Sequence, residues 1–168
     1  VIAALEALGY GCRDNGLTFA VCAQVTSLLP TFIEFASTDQ KQRYLPGLCR
    51  GTTIACDAMT EPETGSDAFA MRTTAVRDGD DYVLNGCKTY LTFAPVADVY
   101  LVYALTKPGA GAWGVSLFLI ERDTPGLEIG PVKPKLGLRT VPMGEITLRD
   151  VRVPAANRIG PEGAGASI

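Results

Sequence analysis

The turn-forming stretch "AMTEPETGSDA", residues 58–68, contains residue types that could bind a ligand. Pro62 favours an extended backbone at Glu61 and removes one donor, so a preceding strand should stop there. The residues that follow, Gly65-Ser66-Asp67, offer free backbone N–H groups, a hydroxyl and a carboxylate, which can form a concave anion site suited to phosphate. The alternative is an ordinary β-turn in which Asp67 bonds its own backbone, and the local sequence by itself favours that alternative.

A second stretch, "NGCKTYLTFA", begins with Asn85-Gly86, a dipeptide favoured in tight hairpin turns. Tyr90 and Thr92 alternate on the strand that follows, so their side chains should point to the same side. A flat aromatic ligand could lie against Tyr90 while Thr92 hydrogen-bonds its edge. Tyrosine and threonine are also ordinary strand residues, and taken alone this stretch favours that plainer interpretation.

The residue types that are missing exclude several chemistries. The chain has no histidine, which removes Ser-His and Cys-His nucleophilic catalysis. Its five cysteines form no C-x-x-C pair, so we expect small buried hydrophobic residues and no metal site. Proton chemistry must therefore come from carboxylates or from outside this sequence.

Composition is typical of a globular protein, with 47% hydrophobic and 20% charged residues among 168. The net charge of -3 comes with no basic stripe, which argues against nucleic acid as a partner. No run of about 18 apolar residues and no signal peptide are recognisable, so we predict a cytoplasmic protein without a membrane span.

The residues singled out above must be positioned by helices that come first and strands that come later. Up to Arg50 the pattern is helical, with Asp14 or Asn15 as one N-cap, Pro30 as a break or kink, and a capping box from Ser37 to Gln40. From Thr52 the hydrophobic period changes to two, over about eight short strands separated by turn signals such as Asp78-Gly79 and Thr124-Pro125-Gly126.

This order predicts an α+β chain whose strands form an antiparallel barrel or sandwich. We expect residues 1–51 to be part of an N-terminal helical domain, residues 52–155 a middle β-domain, and residues 156–168 the start of a linker. Val1 enters a helical pattern directly, and "GPEGAGASI" reads as a loop leading into a further helix. The sequence therefore predicts a fragment of a longer protein.

Five motifs, in order and with plausible spacing, carry a resemblance: "QKQRYLPGL", "AMTEPETGSDA", "LNGCKTYLT", "KLGLR" and "LRDVRVP". The second and third correspond to the patterns T-E-P-x-x-G-S-D and N-G-x-K-x-W-I-T. On these motifs the chain resembles the acyl-CoA dehydrogenase family, from the end of its N-terminal helical domain through its middle β-domain. The resemblance covers nearly all of this chain and about half of a family member, so we expect the family's C-terminal helical bundle to lie outside these residues.

The resemblance implies a flavoprotein with FAD lying across the middle domain. Met59 and Thr60 would contact the flavin ring, with the Thr60 hydroxyl near N1 and O2, where negative charge gathers on reduction. Thr92 would lie near N5, and Ser66 would reach the cofactor pyrophosphate or the thioester substrate. The full set of implied cofactor residues is Asp57, Met59, Thr60, Gly65, Ser66, Tyr90, Leu91 and Thr92.

The implied reaction is α,β-dehydrogenation of an acyl thioester, in which a carboxylate removes an α-proton while the β-hydrogen leaves as hydride. The family's base is a Glu on the C-terminal bundle, so we nominate no catalytic residue in this chain, and the isolated chain should be inactive. The resemblance implies a CoA or carrier-protein thioester, an electron-acceptor flavoprotein and a homo-oligomer. "GYGCRDNGLTFAVCAQ" looks like bacterial members that act on carrier-protein thioesters.

Two alternatives stay open from the sequence. A flavin monooxygenase of the same fold would change the chemistry, although the T-E-P-x-x-G-S-D motif favours the dehydrogenase. A non-catalytic scaffold or partner domain would keep the fold without holding FAD.

Overall fold

The N-terminal part of the chain is helical. The computed structural model describes residues 1–168. A π-helical turn, Gln24–Leu28, joins the second and third of four α-helices into one continuous helical run. The helices are α1 (Ile2–Gly11), α2 (Asn15–Ala23), α3 (Leu29–Phe35) and α4 (Thr38–Arg50).

Two of the helices begin at the predicted caps. The Asp14 carboxylate accepts hydrogen bonds from the amides of Gly16 (2.8 Å) and Leu17 (3.1 Å) at the start of α2. Ser37 and Gln40 form a reciprocal capping box at the start of α4, with bonds of 2.8 and 3.2 Å. Both caps satisfy backbone donors that no helical carbonyl can reach.

The run from Asn15 to Phe35 does not end at Pro30. Proline cannot donate a backbone hydrogen bond, and the π-helical turn directly before α3 accommodates that loss. By length and composition alone this 21-residue run is apolar enough to cross a membrane. Its second half packs against the sheet through Leu28 and Phe32, which are buried.

The strands form one mixed sheet in the order β6-β7-β3-β2-β4-β5-β8, and β1 pairs with β4 beside this path. The α+β order is confirmed. The sheet is not wholly antiparallel, because β1 and β2 both pair with β4 in parallel. It is not closed into a barrel, because the end strands β6 and β8 do not pair with each other. The strands are β1 (Ala55–Ala58), β2 (Thr74–Asp78), β3 (Asp81–Thr92), β4 (Val99–Leu105), β5 (Val115–Glu121), β6 (Leu127–Ile129), β7 (Met143–Pro154) and β8 (Arg158–Ile159).

The predicted domain boundaries stay a prediction. The helices end at Arg50 and the first strand begins at Ala55, which brackets the boundary expected at residue 51. Beyond residue 155, the short strand β8 pairs with β5 through Leu117 and Ile159. The predicted linker segment therefore contributes to the same sheet over its first residues.

The two Gly-containing dipeptides behave differently. Asp78-Gly79 forms the predicted hairpin turn between β2 and β3, with Gly79 at a φ of +62°. Asn85-Gly86 lies inside β3 at a bulge, so the hairpin predicted there is wrong. The Asn85 side chain accepts from the Asp150 amide (2.9 Å) and donates to the Asp150 carboxylate (3.0 Å), which holds β3 against β7 instead of turning the chain.

Apolar side chains pack on both faces of the central strands. One cluster lies between the halves of the folded sheet, where the rings of Tyr82 and Phe118 are 4.9 Å apart. A second cluster covers the other face of β4 and β5 with helical residues such as Phe32 and Tyr44. Strands β4 and β5 are therefore buried almost throughout, which gives the fold a rigid centre.

A buried ion pair fixes the segment between β1 and β2 to β3. The Lys88 ammonium, with a side chain 0% exposed, lies 2.9 Å from the Glu61 carboxylate, which is 5% exposed. Lys88 also donates to the Met59 carbonyl (2.9 Å). Glu61 accepts from the amides of Arg72 (2.6 Å) and Thr73 (2.9 Å), so one carboxylate gathers both ends of the connecting loop.

Ionisation of this pair depends on its hydrogen bonds. Burial opposes the charged form of Glu61, but hydrogen bonds from Thr73 and Arg72 and the charge of Lys88 hold the pKa of Glu61 below its usual value. Burial also lowers the pKa of Lys88, and the Glu61 carboxylate opposes that shift. Removing either partner would leave a buried charge without compensation.

We expect Lys88→Met to lower the free energy of unfolding by about 3 kcal/mol or more, because Glu61 would stay buried without its cation. Urea unfolding of the intact protein measures this. Lys107→Met, in an exposed turn, is the matched control and should change stability by about 0.5 kcal/mol or less. The double variant K88M/E61Q should recover part of the loss, because glutamine keeps an acceptor oxygen without charge. Equal effects of K88M and K107M would contradict a structural role of the pair.

Candidate functional site

A cavity of about 400 Å³ lies between helix α2 and the ends of two strands. Six of the eight residues implied by the resemblance line it, three from the end of β1 and three from the end of β3. The opposite wall comes from α2 and the π-helical turn, with Phe19, Cys22 and Thr26 among its residues. The six are Asp57, Met59, Thr60, Tyr90, Leu91 and Thr92.

Two backbone-directed hydrogen bonds bring the strand ends together. The Thr89 amide donates to the Thr60 carbonyl (2.9 Å), and the Lys88 ammonium donates to the Met59 carbonyl. Strands β1 and β3 do not pair in the sheet, so these bonds replace a ladder at this point. These bonds hold the two strand ends side by side, so that Thr60 and Tyr90 reach the same cavity.

The end of β3 is irregular where it enters the site. The register with β7 shifts between Lys88 and Leu91, and Tyr90 adopts a φ of +57°. Such a backbone is unfavourable for a residue with a side chain, by about 1–2 kcal/mol. Tyr90 and Thr92 both line the cavity, as the alternation predicted, although the register shift ahead of Leu91 interrupts regular pleating. Leu91 is buried beneath them.

Tyr90 presents an accessible aromatic face, with 65% of the residue exposed. The Lys133 ammonium lies 5.5 Å from the ring centroid and 2.6 Å from the Glu145 carboxylate. The bond to Glu145 raises the pKa of Lys133, and Lys133 in turn lowers the pKa of Glu145. Sequence reasoning missed these two residues, because they lie on segments distant from Tyr90 along the chain.

The threonine hydroxyls at the cavity are available to a ligand. Neither the Thr60 nor the Thr92 side chain forms a hydrogen bond within the protein, and both residues are partly exposed. Around them Met59, Leu91 and Phe19 are apolar. An apolar slot with an aromatic face and two free hydroxyls suits a flat ring system that has polar atoms on its edge.

Gly65 and Ser66 lie outside the lining of this cavity. Ahead of them, reciprocal backbone bonds between Glu61 and Thr64 of 3.0 and 3.2 Å close a tight turn. Both Gly65 and Ser66 are exposed, and a Cβ added at Gly65 would meet open space. Their assignment to a cofactor stays a prediction.

Asp57 is the only carboxylate that lines the cavity, and it also lines a neighbouring cavity of about 540 Å³. Solvent reaches the side chain, yet the surrounding protein atoms desolvate it and raise the pKa of Asp57 to about 6. The charge of Lys88 and the Ala58 amide act in the opposite direction. The two cavities share five lining residues, so Asp57 stands where they meet; the five are Thr26, Ser27, Leu28, Asp57 and Met59.

The sequence analysis also did not predict that helical residues form one wall of the cavity. Phe19, Cys22, Ala23 and Thr26 all face the cavity from the first half of the helical run. The signal was present in the apolar residues that surround most of that helix, which indicated burial on several sides. It did not indicate which of them would face a ligand.

Comparison with known proteins shows the family to which the chain belongs. Residues 56–151 match the family profile "Acyl-CoA dehydrogenase, middle domain". The chain is 46% identical over 164 residues to an L-prolyl-[peptidyl-carrier protein] dehydrogenase from a Serratia species, covering 98% of this chain and 42% of that protein. It is 40% identical over 168 residues to a short-chain-specific acyl-CoA dehydrogenase from Clostridium acetobutylicum, covering 99% of this chain and 44% of that protein.

A solved structure shows the same arrangement of the chain. The structure of PigA with FAD and proline superposes with a TM-score of 0.95 at 46% identity, covering 97% of this chain and 43% of that one. The chain thus spans less than half the length of the relatives it matches. Because the profile covers more than half of its residues and the identities extend over nearly all of them, the chain belongs to the acyl-CoA dehydrogenase family.

Proposed function

We propose that the protein carrying this chain is an FAD-dependent dehydrogenase that introduces an α,β double bond into an acyl thioester. The observation that carries this proposal is the convergence of two separate motifs on one cavity, with the free hydroxyls of Thr60 and Thr92 beside the accessible ring of Tyr90. Family membership supports the reaction class. The solved relative with FAD and proline supports the cofactor.

The residues present fit a flavin. Thr60 and Thr92 would donate hydrogen bonds to polar atoms on the edge of the ring, and Tyr90 would contact its face. Met59 and Leu91 would exclude water from it. FAD, when bound, supplies the hydride acceptor. Gly65 and Ser66, on the exposed turn, would serve the pyrophosphate or the thioester, and Asp57 completes the proposed set.

The protein's part in the reaction is orientation. Phe19, Cys22 and Ala23 of α2 form an apolar wall facing the motif residues, which suits the hydrocarbon part of an acyl group. Holding that group next to its reaction partner lowers the barrier to reaction, because the translational and rotational entropy is already lost on binding. We assign no catalytic base to residues 1–168.

Substrate carrier and partners belong to the same proposal. Curated relatives act on a carrier-protein prolyl group or on acyl-CoA, and either thioester would satisfy the chemistry. We propose an electron-acceptor flavoprotein as redox partner, a homo-oligomeric assembly and a cytoplasmic location. The two relatives named are bacterial, and we propose a bacterial origin for this chain too.

The intact protein, including any sequence outside residues 1–168, should show flavin absorption bands that bleach on anaerobic addition of an acyl thioester. A panel of CoA and carrier-protein thioesters identifies the carrier. A colourless protein that does not take up FAD would favour a non-catalytic scaffold. Reduction by NADH with rapid oxygen consumption would favour a monooxygenase of the same fold.

Thr92→Val should weaken FAD binding by about five- to tenfold, because valine keeps the shape of threonine but removes a hydrogen bond worth about 1 kcal/mol. Titration of the apoprotein with FAD, followed by quenching of flavin fluorescence, measures the dissociation constant. Thr38→Val, at the exposed first position of α4, is the matched control and should leave it unchanged. Indistinguishable constants for the two variants would argue against a ligand contact at Thr92.

A further inference from the structure

Asp57 occupies the face of the sheet that packs against the helices. Side chains alternate along β1, and Cys56 and Ala58 point into the cluster between the halves of the sheet. Asp57 points the other way, to the face on which Ala55, Leu101 and Tyr103 are buried. A carboxylate therefore stands on an otherwise apolar surface, at the point where the two cavities meet.

No cation of the protein pairs with this carboxylate. Asp57 forms no salt bridge, and the only cation that perturbs it, Lys88, is already bonded to Glu61 and to the Met59 carbonyl. An ionised group among apolar atoms is unfavourable unless an opposite charge compensates it. Solvent reaches Asp57 and compensates its charge, so a ligand that displaced this water would have to supply a compensating group of its own.

The cavities themselves favour a positively charged ligand. Neither is lined by a lysine or an arginine, whereas Asp57 lines both and Glu34 lines the larger one. Such a surface attracts an ammonium group. A substrate that extended from one cavity into the other would have to pass the Asp57 carboxylate.

We propose that Asp57 determines substrate specificity by pairing with a protonated amine on the acyl group, so that the preferred substrate is an aminoacyl thioester. This rests on the proposed function for the thioester, but the pairing itself requires only the cavity and the carboxylate. A charge-assisted hydrogen bond from the amine would satisfy Asp57. A purely hydrocarbon acyl group would leave the carboxylate desolvated and unpaired, which disfavours such substrates.

The test compares two ligands that differ only in the amine. The N-acetylcysteamine thioesters of proline and of cyclopentanecarboxylic acid have the same ring size, and the amine of one is a methylene in the other. Their rates of flavin bleaching in the intact holoenzyme give a selectivity ratio. Calorimetric titration with prolinamide and cyclopentanecarboxamide gives the corresponding binding ratio without requiring turnover.

Wild-type protein should prefer the amine-bearing ligand by tenfold or more in both measurements. Asp57→Asn, which keeps shape but removes charge, should reduce that ratio at least tenfold. Asp123→Asn removes one negative charge from an exposed turn far along the chain, and should keep the wild-type ratio. If D57N loses the wild-type circular dichroism spectrum, Asp57→Ser replaces it, and Asp57→Glu should retain a preference for the amine.

Equal affinities of wild-type protein for the two carboxamides would overturn the inference, as would an unchanged ratio in D57N. Bleaching by both thioesters with no amine preference would overturn it while supporting the proposed function. An amine preference that depends on Asp57, in protein whose flavin no thioester bleaches, would support the pairing and reject the dehydrogenase reaction.

Discussion

The buried pair of Lys88 and Glu61 is the interaction on which the geometry of the site depends. It lies beneath the segment that leaves β1, and its hydrogen bonds reach the Met59 carbonyl and the amides of Arg72 and Thr73. An apolar pair of similar volume could fill the space, and such replacements are often no less stable. Such an apolar pair could not hydrogen-bond the Met59 carbonyl and the two amides, as Lys88 and Glu61 do. The pair thus places the loop as well as filling the core.

Rigidity around this pair comes from strands buried on both faces. Strands β4 and β5 are covered on one side by the other half of the sheet and on the other by α3 and α4. The first half of the helical run packs less completely, and the cavity lies there, between Phe19 and the strand ends. A ligand site therefore forms where a rigid sheet meets an incompletely packed helix, which leaves polar side chains such as Thr60 and Thr92 free.

Local signals predicted much of this arrangement. The capping box at Ser37, the hairpin at Asp78-Gly79 and the end of β1 ahead of Pro62 all follow from residues close together in the chain. Five motifs carried the resemblance to the family, and two of them contain five of the residues that line the cavity. What the sequence did not reveal depends on distant contacts: the bulge at Gly86 is fixed by Asp150, and the parallel pairing of β1 with β4 joins segments more than forty residues apart. The hydrophobic periodicity of neighbouring residues cannot predict either contact.

Two carboxylates four residues apart differ in how the protein satisfies them. Glu61 has a cation and two amides, and its pKa lies below the usual value despite burial. Asp57 has no such set, and desolvation raises its pKa to about 6. Glu61 is buried and needs these partners, whereas Asp57 is exposed and water reaches its carboxylate. A group that stays ionisable and unpaired in a cavity is instead typical of a ligand-binding position. The contrast separates the two roles along one short segment: Glu61 holds the site in place, and Asp57 faces what enters it.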